Sequence, residues 1–459
     1  MSRNEFFFHH NNRSRLASGW LLLAFLAMGI STLFAFLLVM LRTPFINPGW
    51  IDARFFTRAL VLHVDFAVII WFLSFAGVLW SLTSRSRWTL GGWLALLLAF
   101  AGVSMILVAA FGSQPEAMLS NYIPVLKTPL FLAGLGSFGV GIALLFLVSV
   151  GGGKGSVSHF GGRCAGIAVL TALLVLLWNG FSPALNTGSP HYFEDLFWGP
   201  GHILQFSYML LMLVAWLQLA RLAGIRLPED RFLRGLFVLA VSPLLMLLFI
   251  QFQFVPGSDA YRHAYTGLMR YGSWPMALLL GGILLFRLRQ CSPEGNTWAG
   301  LALFFSIVLF VIGLSAGTLI RADTVLVTAH YHGTVGAVTL SFMGLSYYLL
   351  PQLGASMPAV RPIRVQIVMY GSGMLLLIAG LFWSGLHNVP RKTPGAEHLS
   401  HHIAGNGAEI FGMLLMGTGG VIALSATVLF LFIATRSLWP VRQTLFQAHS
   451  RRRLDQPGC

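Results

Sequence analysis

The 459-residue sequence has very few charged side chains. Only 9% of its residues are Asp, Glu, Lys or Arg, whereas 56% are hydrophobic and the mean hydropathy is +0.76. A soluble globular protein carries about 25% charged residues. This shortage excludes a soluble enzyme and a disordered protein. It also excludes a nucleic-acid-binding protein, although the net charge of +15 by itself would suggest one.

Cysteine is scarce as well. Cys164, Cys291 and Cys459 lie far apart, and no CxxC, CxxxC or CxxCH occurs. The spacing excludes a local thiolate metal site, a covalently attached c-type haem and a local disulfide framework. Any iron or copper must therefore be held by other side chains.

Long apolar runs are what the sequence has instead. A helix needs about 20 apolar residues to cross about 30 Å of hydrocarbon. Twelve stretches meet this requirement: 17–42, 58–83, 91–113, 127–150, 164–181, 196–222, 233–255, 271–288, 297–320, 324–350, 365–386 and 408–436. The prediction is an all-α integral membrane protein, with residues 1–459 as one membrane domain. Its twelve-helix core covers 16–436, and 1–15 and 437–459 are tails.

The basic residues fall unequally on the two sides of these spans. The termini and the even-numbered loops carry 20 of the 29 Lys and Arg residues, and the opposite side carries nine. The positive-inside rule then predicts that both termini are cytoplasmic. An even number of spans requires both termini on one side. The predicted location is a bacterial-type inner membrane.

Five histidines lie in or beside the spans. His63, His202, His330 and His332 lie within several residues of the outer ends of spans 2, 6 and 10, and His263 lies in the outer loop between spans 7 and 8. The first four are roughly 10 Å below the outer boundary at 1.5 Å per residue. A single such histidine is as readily a packing residue as a ligand. A shared depth on separate helices predicts a cofactor site towards the outer side.

The spacing of His330 and His332 restricts what they bind. Residues i and i+2 of a helix point about 200° apart, so the two imidazoles cannot bind one metal. Imidazole binds iron, copper and zinc, and haem takes axial histidine. In the absence of thiolate motifs, haem is the best candidate, and span 10 is predicted to serve two metal centres.

Four motifs, in order, resemble subunit I of the haem–copper oxidase superfamily. Residues 323–332 (DTVLVTAHYH) resemble its DTxxVxAHxH segment, 196–202 (LFWGPGH) its LFWxxGH opening of helix six, 262–269 (RHAYTGLM) its HH-containing segment, and 389–392 (VPRK) its PRR turn. The resemblance covers roughly residues 55–435 and is that of a divergent member of this superfamily.

This resemblance implies a set of cofactors. His63 and His332 would be the axial ligands of a low-spin haem, and His330 would be the single protein ligand of a high-spin haem with an open face. His202 and His263 would hold a second metal opposite that face, normally copper. Two haems and a copper ion are therefore expected.

Further roles follow from the same resemblance. Arg391 and Lys392 would neutralise the haem propionates, unless they are ordinary loop cations. Asp323 would bind a structural cation or anchor the propionates, and the alternative is an ordinary helix-start aspartate. Tyr265, or Tyr261, would supply a phenol to the reaction, with aromatic packing as the alternative.

The sequence departs from the family pattern at the second metal. Arg262 stands where the family has the first of two adjacent histidines, so copper would lose one imidazole and gain a permanent cation as neighbour. After His202, the family's Pro-Glu-Val-Tyr is replaced by residues 203–206 (ILQF). Both the glutamate and the tyrosine of that motif are missing.

Three functions remain open from the sequence. The leading one is the catalytic subunit of a respiratory terminal oxidase, in which electrons from a cytochrome c reduce O2 to water. Because CxxCH is absent, a cytochrome- or copper-bearing partner subunit would deliver the electrons. The second is an NO reductase-like subunit, with Glu194 and Asp195 just before span 6. The third is a non-catalytic dihaem protein for electron transfer or gas sensing, in which Arg262 has replaced the second metal.

Overall fold

The computed structural model describes residues 12–46, 53–83, 89–112, 115–151, 155–289, 296–393 and 407–454. In these ranges, twelve helices are long and apolar enough to cross a membrane. They are Asn12–Arg42, Arg54–Leu82, Thr89–Phe111, Pro129–Ser149, Val157–Gly180, Tyr192–Leu222, Asp230–Gln253, Asp259–Leu288, Thr297–Thr318, Val325–Gln352, Val360–Leu386 and Gly407–Leu438, and they are called spans 1 to 12. The predicted all-α fold with twelve membrane helices is confirmed.

Spans 5 and 8 show the largest differences from the hydropathy prediction, and both begin earlier than predicted. Span 5 begins at Val157 instead of 164, because the Ser156 hydroxyl accepts a hydrogen bond from the backbone of His159 and starts the helix earlier. Span 8 begins at Asp259 instead of 271, with Ser258 as its N-cap. The polar residues of this first part mask its helical character in a hydropathy analysis. His263 therefore lies in a helix, and the prediction that it lies in a loop is wrong.

Three spans have an irregular backbone. Span 2 consists of Ala53–Val64, a π-helical segment Asp65–Ile70 and Trp71–Thr83. Span 7 consists of Asp230–Val241, a 3₁₀ segment Ser242–Leu245 and Met246–Gln253. Span 8 is divided into Asp259–Gly272 and Pro275–Leu288. The proline stands at the first position of its segment, where its missing N–H leaves no hydrogen bond unmade.

The loop between spans 3 and 4 has its own small hairpin. Strand β1 (Ala117–Met118) pairs antiparallel with strand β2 (Val125–Leu126), so that Ala117 lies opposite Leu126. The pairing closes the base of the loop and fixes the six residues between the strands.

Spans 6 and 10 form the centre of the bundle. Of the residues in their most hydrophobic segments, 94% and 83% are buried, compared with 39% for span 7 and 22% for span 8. These two central spans carry His202, His330 and His332. A helix enclosed on all sides must bury its polar side chains against other helices, and this places three of the predicted site residues inside the protein.

Some predictions concern residues beyond the described ranges. Arg3, Arg85, Arg87 and Lys154 of the predicted cytoplasmic side, together with Cys291 and Cys459, lie outside them. Of the predicted tails, residues 1–11 and 455–459 also lie outside. The last helix extends over Gly407–Leu454. The cytoplasmic orientation of the termini and the domain bounds stay predictions.

Candidate functional site

A cavity of about 400 Å³ lies inside the bundle. Side chains of spans 1, 2, 6 and 8 to 12 line it, together with residues 119–124 of the loop between spans 3 and 4. His63, His330 and His332 all contribute to its wall. The structure thus brings together three of the five predicted histidines, whereas His202 and His263 are not among the described residues that line this cavity.

His330 and His332 each use Nδ1 in a hydrogen bond within the protein. His330 Nδ1 lies 2.7 Å from the carbonyl oxygen of Gly313 on span 9, and His332 Nδ1 lies 2.9 Å from the carbonyl oxygen of Thr328. A carbonyl can only accept, so both Nδ1 atoms carry the proton and both Nε2 atoms keep a lone pair. Metal-binding histidines are oriented in this way by a second hydrogen bond.

His63 is held in the same manner by span 1. Its Nδ1 lies 3.2 Å from the Ser31 carbonyl oxygen and 3.0 Å from the Ser31 hydroxyl, which itself donates to the His63 carbonyl at 3.2 Å. Nε2 is again left with its lone pair. His63 and His332 line the same cavity from different spans. Within the described residues, Nε2 of His63, His330 and His332 has no hydrogen-bond partner.

Two glycines allow His330 to reach its partner. A Cβ atom added to Gly333 would lie 2.3 Å from Cα of Gly313, so the backbones of spans 9 and 10 are in direct contact. Small residues are how membrane helices achieve such close packing. The close approach places the Gly313 carbonyl within 2.7 Å of His330 Nδ1.

Gly333→Ala is expected to destabilise the protein, because the added methyl group must push the two backbones apart. The expected loss is about 1–3 kcal/mol, which is typical of overpacked cores, and thermal unfolding in detergent measures it. Gly282→Ala is the matched control, since its Cβ atom would meet nothing within 4 Å. Equal melting temperatures for the two variants would contradict the contact.

Three cations line the cavity: Arg42 at the end of span 1, and Arg391 and Lys392 after span 11. The sequence prediction missed Arg42, although it is one of the nine basic residues of the outer side. Its guanidinium donates to the carbonyl oxygen of Pro390 at 2.8 Å, and its buried Nε has no hydrogen-bond partner among the described residues. A buried donor without a partner suits an anionic group in the cavity, such as a haem carboxylate.

Asp323 is not the capping residue of span 10. The helix begins at Val325, and the Thr324 hydroxyl accepts the hydrogen bond from the backbone of Leu326. Asp323 instead forms an ion pair with Arg391. The backbones of Thr324 and Pro390 are also bridged. The outer end of span 10 is therefore tied to the loop that carries the predicted propionate partners.

Lys392 is directed towards the loop between spans 3 and 4. Its Nζ donates to the carbonyl oxygen of Leu119 at 2.5 Å and to Asn121 Oδ1 at 3.1 Å. Burial, and to a lesser degree the charge of Arg391, lowers the pKa of Lys392 from its ordinary value. Its left-handed backbone conformation, with φ of 62°, is uncommon for a residue other than glycine.

His202 is fully buried, and both its ring nitrogens are engaged. Nδ1 donates to the Trp198 carbonyl oxygen at 2.6 Å, so Nε2 is the acceptor for the Tyr122 hydroxyl at 2.9 Å. Burial raises the pKa of Tyr122 well above its ordinary value, which keeps the phenol protonated as a donor. In this arrangement His202 has no free lone pair for a metal.

His263 and Arg262 do not complete a metal site with it. His263 is exposed, and its Nδ1 donates to the Asp259 carbonyl oxygen at 2.7 Å. The adjacent Arg262 pairs with Asp195, with its Nε 3.0 Å from the carboxylate. Within the described ranges, no group of three or more His, Cys, Asp or Glu side chains is placed to hold a metal ion. The predicted copper ligands therefore do not fit copper as the helices place them.

Tyr265, the predicted catalytic phenol, is buried away from the cavity. Its hydroxyl donates to Gln251 Oε1 at 2.9 Å, and its ring lies 4.7 Å from that of Tyr261. Tyr261 in turn bonds to the amide of Asn179. These contacts agree with the packing alternative.

No protein-family model matches the chain. An uncharacterised protein of Rickettsia prowazekii is 24% identical over 94% of this chain and 97% of that protein. An uncharacterised protein of Aquifex aeolicus is 28% identical over 73% of this chain and 84% of that protein. Cytochrome c oxidase subunit 1 of Thermus thermophilus is 28% identical over 58% of this chain, which spans 51% of that subunit.

A solved structure supplies the comparison of folds. The cryo-EM structure of a haem–copper terminal oxidase dimer superimposes with a TM-score of 0.76 at 19% sequence identity, and the match covers 94% of this chain and 84% of that one. At this identity the likeness concerns the fold. The chain therefore has the fold of a haem–copper terminal oxidase and is similar in sequence to part of cytochrome c oxidase subunit 1, which agrees with the resemblance of its motifs.

Proposed function

We propose that this chain is the haem-bearing catalytic subunit of a membrane-bound terminal oxidase that reduces O2 to water. One observation carries the proposal. Three imidazoles line a single cavity, and each has its Nδ1 hydrogen-bonded to a carbonyl and its Nε2 without a partner among the described residues.

His63 and His332 are the proposed ligands of a low-spin haem. They lie on different spans, line the same cavity and are each oriented by a backbone carbonyl. Together they would hold the haem iron, and a haem held by two imidazoles would supply electron transfer without binding a substrate. The apolar helices around the cavity exclude water.

His330 is the proposed ligand of a high-spin haem. The Gly313 carbonyl of span 9 holds the His330 ring, whereas His332 is held by a carbonyl of its own helix. When bound, a haem with one protein ligand supplies an open iron position at which a diatomic gas is coordinated and reduced. Arg42, Arg391 and Lys392 would neutralise the haem carboxylates from the cavity wall.

Electrons are proposed to come from a cytochrome c through a partner subunit. The absence of CxxCH from the sequence argues against a covalent c-type haem within the chain itself. The haem–copper terminal oxidase fold supports an assembly in the membrane.

O2 is favoured over NO as the substrate. The NO reductase hypothesis had only Glu194 and Asp195, just before span 6, as nearby carboxylates. Glu194 instead accepts two hydrogen bonds from Asn121, at 2.8 and 2.6 Å, and Asp195 pairs with Arg262. Both carboxylates are therefore used within the protein.

A second candidate is a non-catalytic dihaem protein for electron transfer or gas sensing. The placement of His202 and His263 favours it, because they do not meet at a metal site. Turnover separates the two candidates. An oxidase consumes O2 when supplied with reduced cytochrome c, and a sensor only binds the gas.

The test is the haem content and reactivity of protein purified in detergent with its co-purifying subunits. We expect two haem irons per chain, of which one binds CO in the reduced state, and O2 uptake that depends on reduced cytochrome c. Protein without haem, or with haem that binds no CO, would overturn the proposal. NO uptake without O2 uptake would assign the reductase branch instead.

A further inference from the structure

The loop between spans 3 and 4 forms part of the cavity. Residues 119–124, the six between strands β1 and β2, all line it. They share this wall with Arg391 and Lys392, so the loop lies at the same end of the cavity as the proposed carboxylate partners.

His202 and Glu194 hold this loop through hydrogen bonds. Nε2 of His202 accepts from the Tyr122 hydroxyl at 2.9 Å. The Glu194 carboxylate accepts from the backbone N and from Nδ2 of Asn121 at 2.8 and 2.6 Å. His202, a predicted ligand of the second metal, and Glu194 therefore both bind protein groups.

The cations after span 11 bind the side-chain oxygen of Asn121. Arg391 and Lys392 both donate to Asn121 Oδ1, at 2.7 and 3.1 Å, and Lys392 also donates to the Leu119 carbonyl oxygen at 2.5 Å. Asn121 thus makes four hydrogen bonds to three side chains. A satisfied polar network of this kind holds a segment in one position.

Span 6 is shaped to receive Tyr122. A Cβ atom added to Gly201 would lie 2.3 Å from Cβ of Tyr122, so the absence of a side chain at Gly201 leaves the space that Tyr122 fills. The Tyr122 ring packs edge-on against Trp198 at 5.6 Å and lies 4.5 Å from the His202 ring. Gly201 therefore leaves room for the Tyr122 side chain, and the adjacent His202 accepts its hydrogen bond.

We propose that this chain has no second metal, and that Tyr122, seated on Gly201 and bonded to His202, takes its place in the cavity wall. His202 is then a positioning residue that accepts a hydrogen bond, and not a metal ligand. One polar group of this wall is then the Tyr122 phenol, whose O–H is donated to His202. The inference rests on the proposed high-spin haem, whether that haem reduces O2 or only binds the gas, because it describes the surroundings of this haem.

Metal content tests the inference and the proposed function separately. Protein from copper-supplemented cells is analysed for iron and copper, before and after incubation with copper ions. We expect two irons per chain and far less than one copper, with no change on incubation. One copper per chain that is lost in His202→Ala would overturn the inference. Absence of iron would overturn the proposed function instead.

Three substitutions test the role of His202. His202→Gln retains an acceptor for Tyr122, whereas His202→Leu and Tyr122→Phe both remove the hydrogen bond. We expect CO rebinding after photolysis to change by roughly three- to tenfold in the last two, the range that one hydrogen bond allows, and to stay near wild type in His202→Gln. Tyr271→Phe is the control, because this tyrosine is 73% exposed.

The opposite pattern would overturn the inference. It consists of wild-type kinetics in Tyr122→Phe together with equal disruption by His202→Gln and His202→Leu, because glutamine is a much weaker copper ligand than imidazole. Haem content measured on each variant shows that the cavity is still assembled. Tyr122→Phe differs by one oxygen atom, so it provides the comparison even where a His202 variant does not assemble.

Discussion

His330→Ala is expected to remove the CO-binding haem and to leave the low-spin haem spectrum in place. His330 is the proposed single protein ligand of that iron, and its ring is oriented by the Gly313 carbonyl. His63 and His332 have their own partners, so the loss of His330 leaves their orientation intact. O2 uptake should fall to the background rate, since the remaining haem has no open iron position.

Reduced-minus-oxidised and CO difference spectra of the purified variant measure both haems in one sample. His387→Ala is the matched control. This histidine does not line the cavity, and its Nδ1, like that of His330, donates to a carbonyl oxygen, here that of Trp383 at 2.8 Å. Loss of both spectra in His330→Ala, or of neither, would show that His330 and His332 do not serve separate haems.

His63→Ala and His332→Ala are each expected to abolish the low-spin spectrum. Both imidazoles are needed for a low-spin haem. Either change should therefore leave the haem with one imidazole ligand, which is no longer low-spin, or release the haem. Electron delivery to the second haem then stops, and cytochrome c oxidation should fall together with O2 uptake. The CO-binding haem should remain, because His330 is held by span 9.

Ser31→Ala provides the graded comparison. It removes the hydroxyl that contacts His63 and leaves the Ser31 carbonyl as an acceptor for Nδ1. Loss of one such supporting hydrogen bond weakens a metal site by about 10- to 100-fold. The haem should therefore be retained and be released more readily on titration with a competing haem-binding protein. A normal low-spin spectrum in His63→Ala would refute the assignment.

The residue roles implied by the family resemblance agree least with the structure at the second metal. The motif around Arg262 and His263 predicted copper ligands near the cavity. The structure extends the helix back to Asp259, which leaves His263 exposed and pairs Arg262 with Asp195. Hydropathy could not reveal this extension because the residues involved are polar.

By itself, the sequence determined that the protein is a bundle of twelve membrane helices. Crossing hydrocarbon demands long apolar runs, and such runs are a local property that can be counted along the chain. The depth of His63, His330 and His332 followed from the same counting, because a helix rises by a fixed distance per residue. Their convergence on one cavity agrees with that prediction.

Only the tertiary structure decided which groups meet at the site. Arg42 reaches Pro390 and Tyr122 reaches His202 across separations of 348 and 80 residues. Such partners depend on how helices rotate and how closely they approach, and at His330 the approach is set by two glycines in contact. Hydrophobicity along one helix does not specify the partner of each side chain, whereas packing of the whole bundle does.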